Sequence, residues 1–104
     1  MTNTSRDDRR NDVFERLKKI LIQMLKIMQD RKPENRPSIE WDTDLISQLG
    51  VDSLESIDLM NAVEEEFQVS PSLNEANSKR TVAQIVEYIL DLQDQDSMKS
   101  PRSL

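Results

Sequence analysis

The chain has 104 residues, a formal net charge of -6, 36% hydrophobic and only 4% aromatic residues, enough for one small domain whose mostly aliphatic core has little stability to spare. It contains no Cys and no His, which excludes disulfides, zinc fingers, thiol nucleophiles and His-based triads. The acidic balance disfavours nucleic acid, and no apolar run approaches the ~18 residues of a membrane span.

Residues 1–11 are polar and without apolar period, and are expected to form a disordered tail. Asp12 is placed to cap the helix that follows. From Val13 to Gln29 the 3.6-residue period is clear: Val13, Phe14, Leu17, Ile20, Leu21, Met24, Leu25 and Met28 fall on one broad stripe, wide enough to pack against two partners. Ile22 falls among the polar residues, and this core does not explain it. Pro33 and Pro37 end the helix.

Residues 38–49 are too apolar for a free linker, with Ile39, Trp41, Leu45, Ile46 and Leu49. They are expected to pack on the bundle, with one helical turn over Asp44 to Gln48 after Asp42-Thr43-Asp44. Gly50, the only glycine, suits a turn that other residues resist.

The next helix spans Ser53 to Phe67. Asp52 and Glu55, three apart, form a capping-box pattern. The helical wheel puts Ser56, Leu59, Met60, Val63 and Phe67 on one face and Leu54, Asp58, Asn61 and Glu65 on the other. Residues 69–80 are polar, with Leu73 and Ala76 able to anchor a short helical turn. Thr81-Val82-Ala83-Gln84 is a second capping box, opening a last helix with Val82, Ile85, Val86, Ile89 and Leu92 on its apolar side. From residue 94 to 104, with Pro101, a flexible tail is expected. The fold class is all-α: a bundle of three main helices plus a short helix or turn, with a long first loop, over residues 12–93.

Ser53 has no His to activate it, and Asp52 and Glu55 are explained as helix caps, so intrinsic catalysis is not expected. Asp42, Asp44 and Asp52 lack the spacing of a calcium loop, so no metal site is expected. Serine is common in the first turn of a helix. Leu54 is more specific. It lies about 160° from the middle of the core face at 100° per residue, among acids. Two readings stand: a domain that another enzyme modifies at Ser53, or an unmodified acidic helical module that docks on a basic partner.

Leu49-Gly50-Val51-Asp52-Ser53-Leu54-Glu55 resembles the Asp-Ser-Leu motif of acyl carrier proteins. Glu64-Glu65-Glu66-Phe67 is similar to the acidic end of their second helix, and Thr81-Val82, Ile85 and Tyr88-Ile89 to their last helix. The resemblance covers Val13 to Leu92. It implies that a phosphopantetheinyl transferase attaches 4′-phosphopantetheine from coenzyme A to Ser53, and that the thiol of that arm carries acyl groups as thioesters. It implies that Asp52 presents Ser53 to the transferase and its metal ion. Leu54, Glu55, Asp58, Asn61, Glu64 and Glu65 would then meet partner enzymes (acyl-loading, synthase or acyltransferase) through their basic docking faces. Leu54 and Glu55 are expected to be exposed. A carrier of a fatty-acid, polyketide or lipopeptide type pathway follows from the resemblance. The N-terminus, polar rather than signal-like, and the lack of a span point to a cytoplasmic protein, expected to be a monomer. The chain departs from the common pattern at Asn61, where Met is frequent, and at Pro71 and Lys79, where apolar residues help line an acyl pocket. The loop from Lys32 to Ile39 is longer than a minimal carrier needs, and the Gly-Gly doublet of peptidyl carriers is absent. These departures point to a specialised stand-alone carrier.

Overall fold

The computed structural model describes residues 6–99. The outermost parts of both expected tails, residues 1–5 and 100–104, lie outside the described residues. The elements are α1 (Arg6–Met24), α2 (Lys26–Asp30), a 3-10 turn (Pro33–Asn35), α3 (Ser53–Phe67), α4 (Leu73–Ala76) and α5 (Val82–Lys99). The architecture is all-helical: α1 packs on both α3 and α5.

Helix α1 starts at Arg6, ahead of Asp12, and α5 continues beyond Leu92. Both extensions run past the apolar period, and ionic contacts tie them together. Arg10 pairs with Glu87, and Arg9 reaches Gln93 and Asp94 at 3.2 and 3.0 Å. Asp12 is therefore inside the helix rather than its cap, paired with Arg16 one turn on at 3.2 Å.

The stripe on α1 buries Val13, Phe14, Leu17 and Leu21, with Ile20 and Met24 half-buried. The periodicity predicts one helix to Gln29, but the helix breaks at Leu25, which is extended at φ -85° and ψ 130°. The apolar pattern survives the break, because Leu25 and Met28 are both buried. The break is chemically sealed: the Gln29 side-chain amide donates to the Ile22 and Gln23 carbonyls at 2.7 and 3.1 Å, acceptors that a helix end leaves open. The bend also accounts for Ile22. It is half-buried against the core and faces a groove of about 490 Å³ that Phe14, Met28, Pro33, Ile39 and Trp41 share.

The connection into α3 is packed, as its composition requires. Trp41 stacks on Phe14 with ring centroids 4.4 Å apart, and Ile39, Leu45 and Leu49 are buried. Thr43 is buried too; its hydroxyl accepts from the Glu40 amide at 2.6 Å. The strongest tie is to α5. The Val82 and Ala83 amides, first-turn donors without a helical acceptor, donate to the Thr43 and Trp41 carbonyls at 3.0 and 2.8 Å. The Leu45 amide donates to the Arg80 carbonyl at 2.7 Å, and Asp44 pairs with Thr81 in an isolated antiparallel bridge. Ile46 is the exception in this segment, 51% exposed. The expected turn at Asp44 forms without a helix: the Asp44 carboxylate accepts from the Ile46 and Ser47 amides at 2.9 and 2.8 Å. Gly50 follows at φ +73°, the left-handed region that a side chain resists.

Helix α3 buries Leu59, Met60, Val63 and Phe67, the face that the wheel assigns inward. Arg16 clamps its far end. The guanidinium donates to the Glu66 carboxylate and carbonyl at 2.7 and 2.8 Å and lies 4.6 Å from the centre of the Phe67 ring. Glu66 holds the Arg16 pKa above its ordinary value, chiefly through that hydrogen bond. The helix ends at Gln68 in the left-handed conformation, where its side chain donates to the Glu65 carbonyl at 2.8 Å.

In α4 only half of the expected anchor is inside: Ala76 is buried, while Leu73 is 41% exposed. The missing anchor is Tyr88 of α5. Its buried hydroxyl accepts from the Ser72 amide at 2.7 Å and lies 3.1 Å from a Glu75 carboxylate oxygen. Burial pushes the Tyr88 pKa up. The second capping box forms as the sequence predicts: the Gln84 amide donates to the Thr81 hydroxyl at 3.2 Å and the Thr81 amide to the Gln84 side chain at 3.1 Å.

Candidate functional site

Ser53 is the first residue of α3, and the chain turns into it through Gly50 and the buried Val51. Asp52 is the cap. Its carboxylate accepts from the Glu55 amide at 2.8 Å, and the Glu55 carboxylate accepts from the Asp52 amide at 3.2 Å. This reciprocal pair fixes where the helix begins, and therefore where Ser53 stands. Ser53 is exposed, and among the described residues its hydroxyl makes no hydrogen bond. The amides of the first turn have no helical acceptor, and the helix dipole places partial positive charge there. An exposed hydroxyl at this end suits a phosphodiester, which meets those donors and that field.

Glu55 differs from expectation. It is half-buried and committed to the capping box rather than standing free among the exposed acids. The wheel gives direction but not reach, and a glutamate three residues into a helix bends back over its cap. Leu54, Asp58, Asn61, Glu64 and Glu65 are all exposed, Leu54 at 72%. Sequence reasoning passed over two exposed apolar residues. Ile57, one turn along α3 from Leu54, is 39% exposed, and Ile46 lines the cleft beside Ser53. The spacing from Leu54 to Ile57 was a signal for the first of them. For Ile46 there was none, since only the turn around Asp44 points it outward.

A cleft of about 300 Å³ opens beside Ser53 between α3 and the segments at 45–51 and 76–79. Leu45, Val51, Leu59, Met60, Ala76 and Ile85 give it an apolar floor. Asp52, Ser53, Ser56, Asn77 and Lys79 supply its polar atoms. The Ser56 hydroxyl lies 3.4 Å from the Asn77 side-chain oxygen, at the limit of a hydrogen bond. Lys79, singled out in the sequence as a polar residue in an apolar place, is thus at the cleft wall. Pro71 is not among the lining residues. Among the described residues no group of three or more acidic side chains is gathered as a metal site, and no helix is long and apolar enough to cross a membrane.

Comparison with known proteins points the same way. The family model for the phosphopantetheine attachment site matches residues 15–89. The chain is similar to the acyl carrier protein of Buchnera aphidicola subsp. Acyrthosiphon pisum (strain Tuc7), 36% identical over 78 residues that make up 75% of this chain and 89% of that protein. It is also similar to the acyl carrier protein of Trieres chinensis, 33% identical over 79 residues, 76% of this chain and 90% of that one.

Proposed function

The chain belongs to the acyl carrier protein family, and we propose that it holds acyl groups on an arm attached at Ser53 and delivers them to enzymes that dock on α3. Proteins of this family are carriers, and this chain is a carrier without intrinsic catalysis, of the kind that 4′-phosphopantetheine equips. The observation that carries the choice of Ser53 is its placement: an exposed hydroxyl without a hydrogen bond among the described residues, first in a capped helix, beside an apolar cleft. In the attachment the Ser53 oxygen forms a bond to the phosphorus of coenzyme A that carries the pantetheine. The bond from that phosphorus to the adenosine bisphosphate breaks, and the hydroxyl proton leaves to a base of the transferase. When bound, the arm supplies the thiol that holds the acyl group as a thioester.

The chain's own residues divide the remaining work. Asp52 holds the helix start and leaves its second carboxylate oxygen for the transferase and its metal ion. Leu54 and Ile57 offer an apolar contact, and Asp58, Glu64 and Glu65 surround it with negative charge. Such a face steers the domain toward Lys- and Arg-rich partner surfaces, at rates that fall as salt rises. The partners are a phosphopantetheinyl transferase and the loading, synthase or acyltransferase enzymes of a dedicated acyl pathway, of fatty-acid, polyketide or lipopeptide type.

Intact-mass measurement after incubation with coenzyme A and a broad-specificity transferase tests the assignment. The expected result is a gain of one phosphopantetheine that Ser53→Ala abolishes. No gain with any transferase would leave an unmodified acidic docking module instead.

A further inference from the structure

We infer that the cleft beside Ser53 receives acyl chains that end in a carboxylate, with Lys79 and Asn77 as the groups that recognise that end; this rests on Ser53 as the attachment site.

The cleft is apolar along its floor, so it accepts a hydrocarbon segment of any acyl chain without penalty. Its wall is another matter. Lys79 is the one cation among the lining residues, and it is half-buried. Among the described residues its ammonium makes no ion pair; it lies 5.6 Å from the centre of the Tyr88 ring. A cation over a ring near water is held weakly, and the four-carbon stem of a lysine lets the head group move. Lys79 borders both the cleft and the neighbouring depression over Tyr88, which Glu87 and Asp91 also line, so its head group has two places to rest and is locked by a short ion pair in neither.

Asn77 stands two residues earlier on the same wall. Its only side-chain hydrogen bond among the described residues is the 3.4 Å approach of the Ser56 hydroxyl to its oxygen, so its amide donors have no protein acceptor there. Ammonium and amide together match the acceptors of a carboxylate. Asp52, at the Ser53 end of the same cleft, repels an anion. The gradient therefore runs from Asp52 toward Lys79, and favours a chain whose anionic end lies away from the thioester. A plain alkyl end gains nothing from it and must displace water from the ammonium.

The test uses the full chain, loaded by a broad-specificity transferase with adipoyl- or hexanoyl-coenzyme A, which have equal carbon counts. Intact mass verifies loading. Hydroxylamine cleavage of each thioester is then measured and normalised to the same thioester on free pantetheine. The adipoyl carrier is expected to be protected over the hexanoyl carrier by roughly two- to fivefold, the range of an ion pair partly open to water. Lys79→Leu should bring the ratio to one, Lys79→Arg should keep it, and Lys79→Gln serves should the leucine variant misfold. Equal protection of both cargoes in the unaltered chain overturns the inference while leaving Ser53 as the attachment site. So does a ratio that survives Lys79→Leu or Lys79→Gln. A chain that gains no mass fails at the earlier step, and the attachment reading falls with it.

Discussion

Helix α3 and the connection that leads into it, residues 36–52, form two of the sides of the Ser53 cleft, yet they are held by different forces. Helix α3 is locally specified. A reciprocal cap opens it, an apolar stripe of Leu59, Met60, Val63 and Phe67 seats it, and Gln68 closes it. The connection has no helix of its own and relies on distant partners: Phe14 beneath Trp41, and the amides of Val82 and Ala83 under the Trp41 and Thr43 carbonyls. The side that bears Ser53 is thus fixed by its own neighbours, while the other side depends on contacts across the fold.

That contrast can be broken, and the breaks should fall in order of size. Leu59→Ala removes a buried side chain from α3 and from the floor of the cleft. It should cost about 2–5 kcal/mol in denaturant unfolding, enough to threaten so small a core. Gly50→Ala is subtler. A methyl group there meets nothing within 4 Å, so the cost should be only the backbone strain at φ +73°, about 1–2 kcal/mol. A larger loss would show that the turn is packed rather than merely bent.

Asp52 separates stability from function. Asp52→Ala should lose about 0.5–2 kcal/mol with the cap, whereas Asp52→Asn, an equally good cap, should keep stability and slow modification by the transferase. Should Asp52→Asn be modified at the normal rate, the residue is a cap and nothing more. Glu55→Lys is no longer a purely surface change, because it removes the other half of the capping box.

Asp44 gives the connection a dependence on pH. Hydrogen bonds from the Ser47 amide first, then Arg80 and the Ile46 amide, hold its carboxyl below its ordinary pKa. The stability it contributes is therefore present above the ordinary aspartate range and is lost as pH falls through the depressed value. Asp44→Asn should be less stable than the unaltered chain at neutral pH, and the two should converge in strong acid. Stability curves that stay parallel down to pH ~2 would contradict this, since aspartates ordinarily titrate near ~3.9.

The smallest expected change in stability is at Leu54. Leu54→Ala should unfold within about 0.5 kcal/mol of the parent, while its rate of modification and transfer drops. A clear loss of stability would mean that Leu54 belongs to the fold.

The sequence by itself determined the three long helices, both capping boxes, the inward face of α3, the turn at Gly50 and the position of Ser53. Each is written in neighbours three or four residues apart, where spacing and side-chain type suffice. It also carried the acyl-carrier resemblance in its motifs. What spacing could not encode was decided by contacts between distant segments. The break at Leu25 keeps the apolar stripe intact while redirecting the chain, so it leaves no mark on periodicity, and Gln29 seals it from four residues away. The extension of α1 to Arg6 depends on Arg9 and Arg10 reaching α5. Lys79 borders the cleft because residues far apart in sequence enclose that space, whereas Glu55 folds back over its own cap and Ile46 is turned outward by the local turn at Asp44. Only the folded chain brings residues 45, 59, 77 and 79 around one space, and that enclosure is what sets an apolar floor against a lone cation beside Ser53.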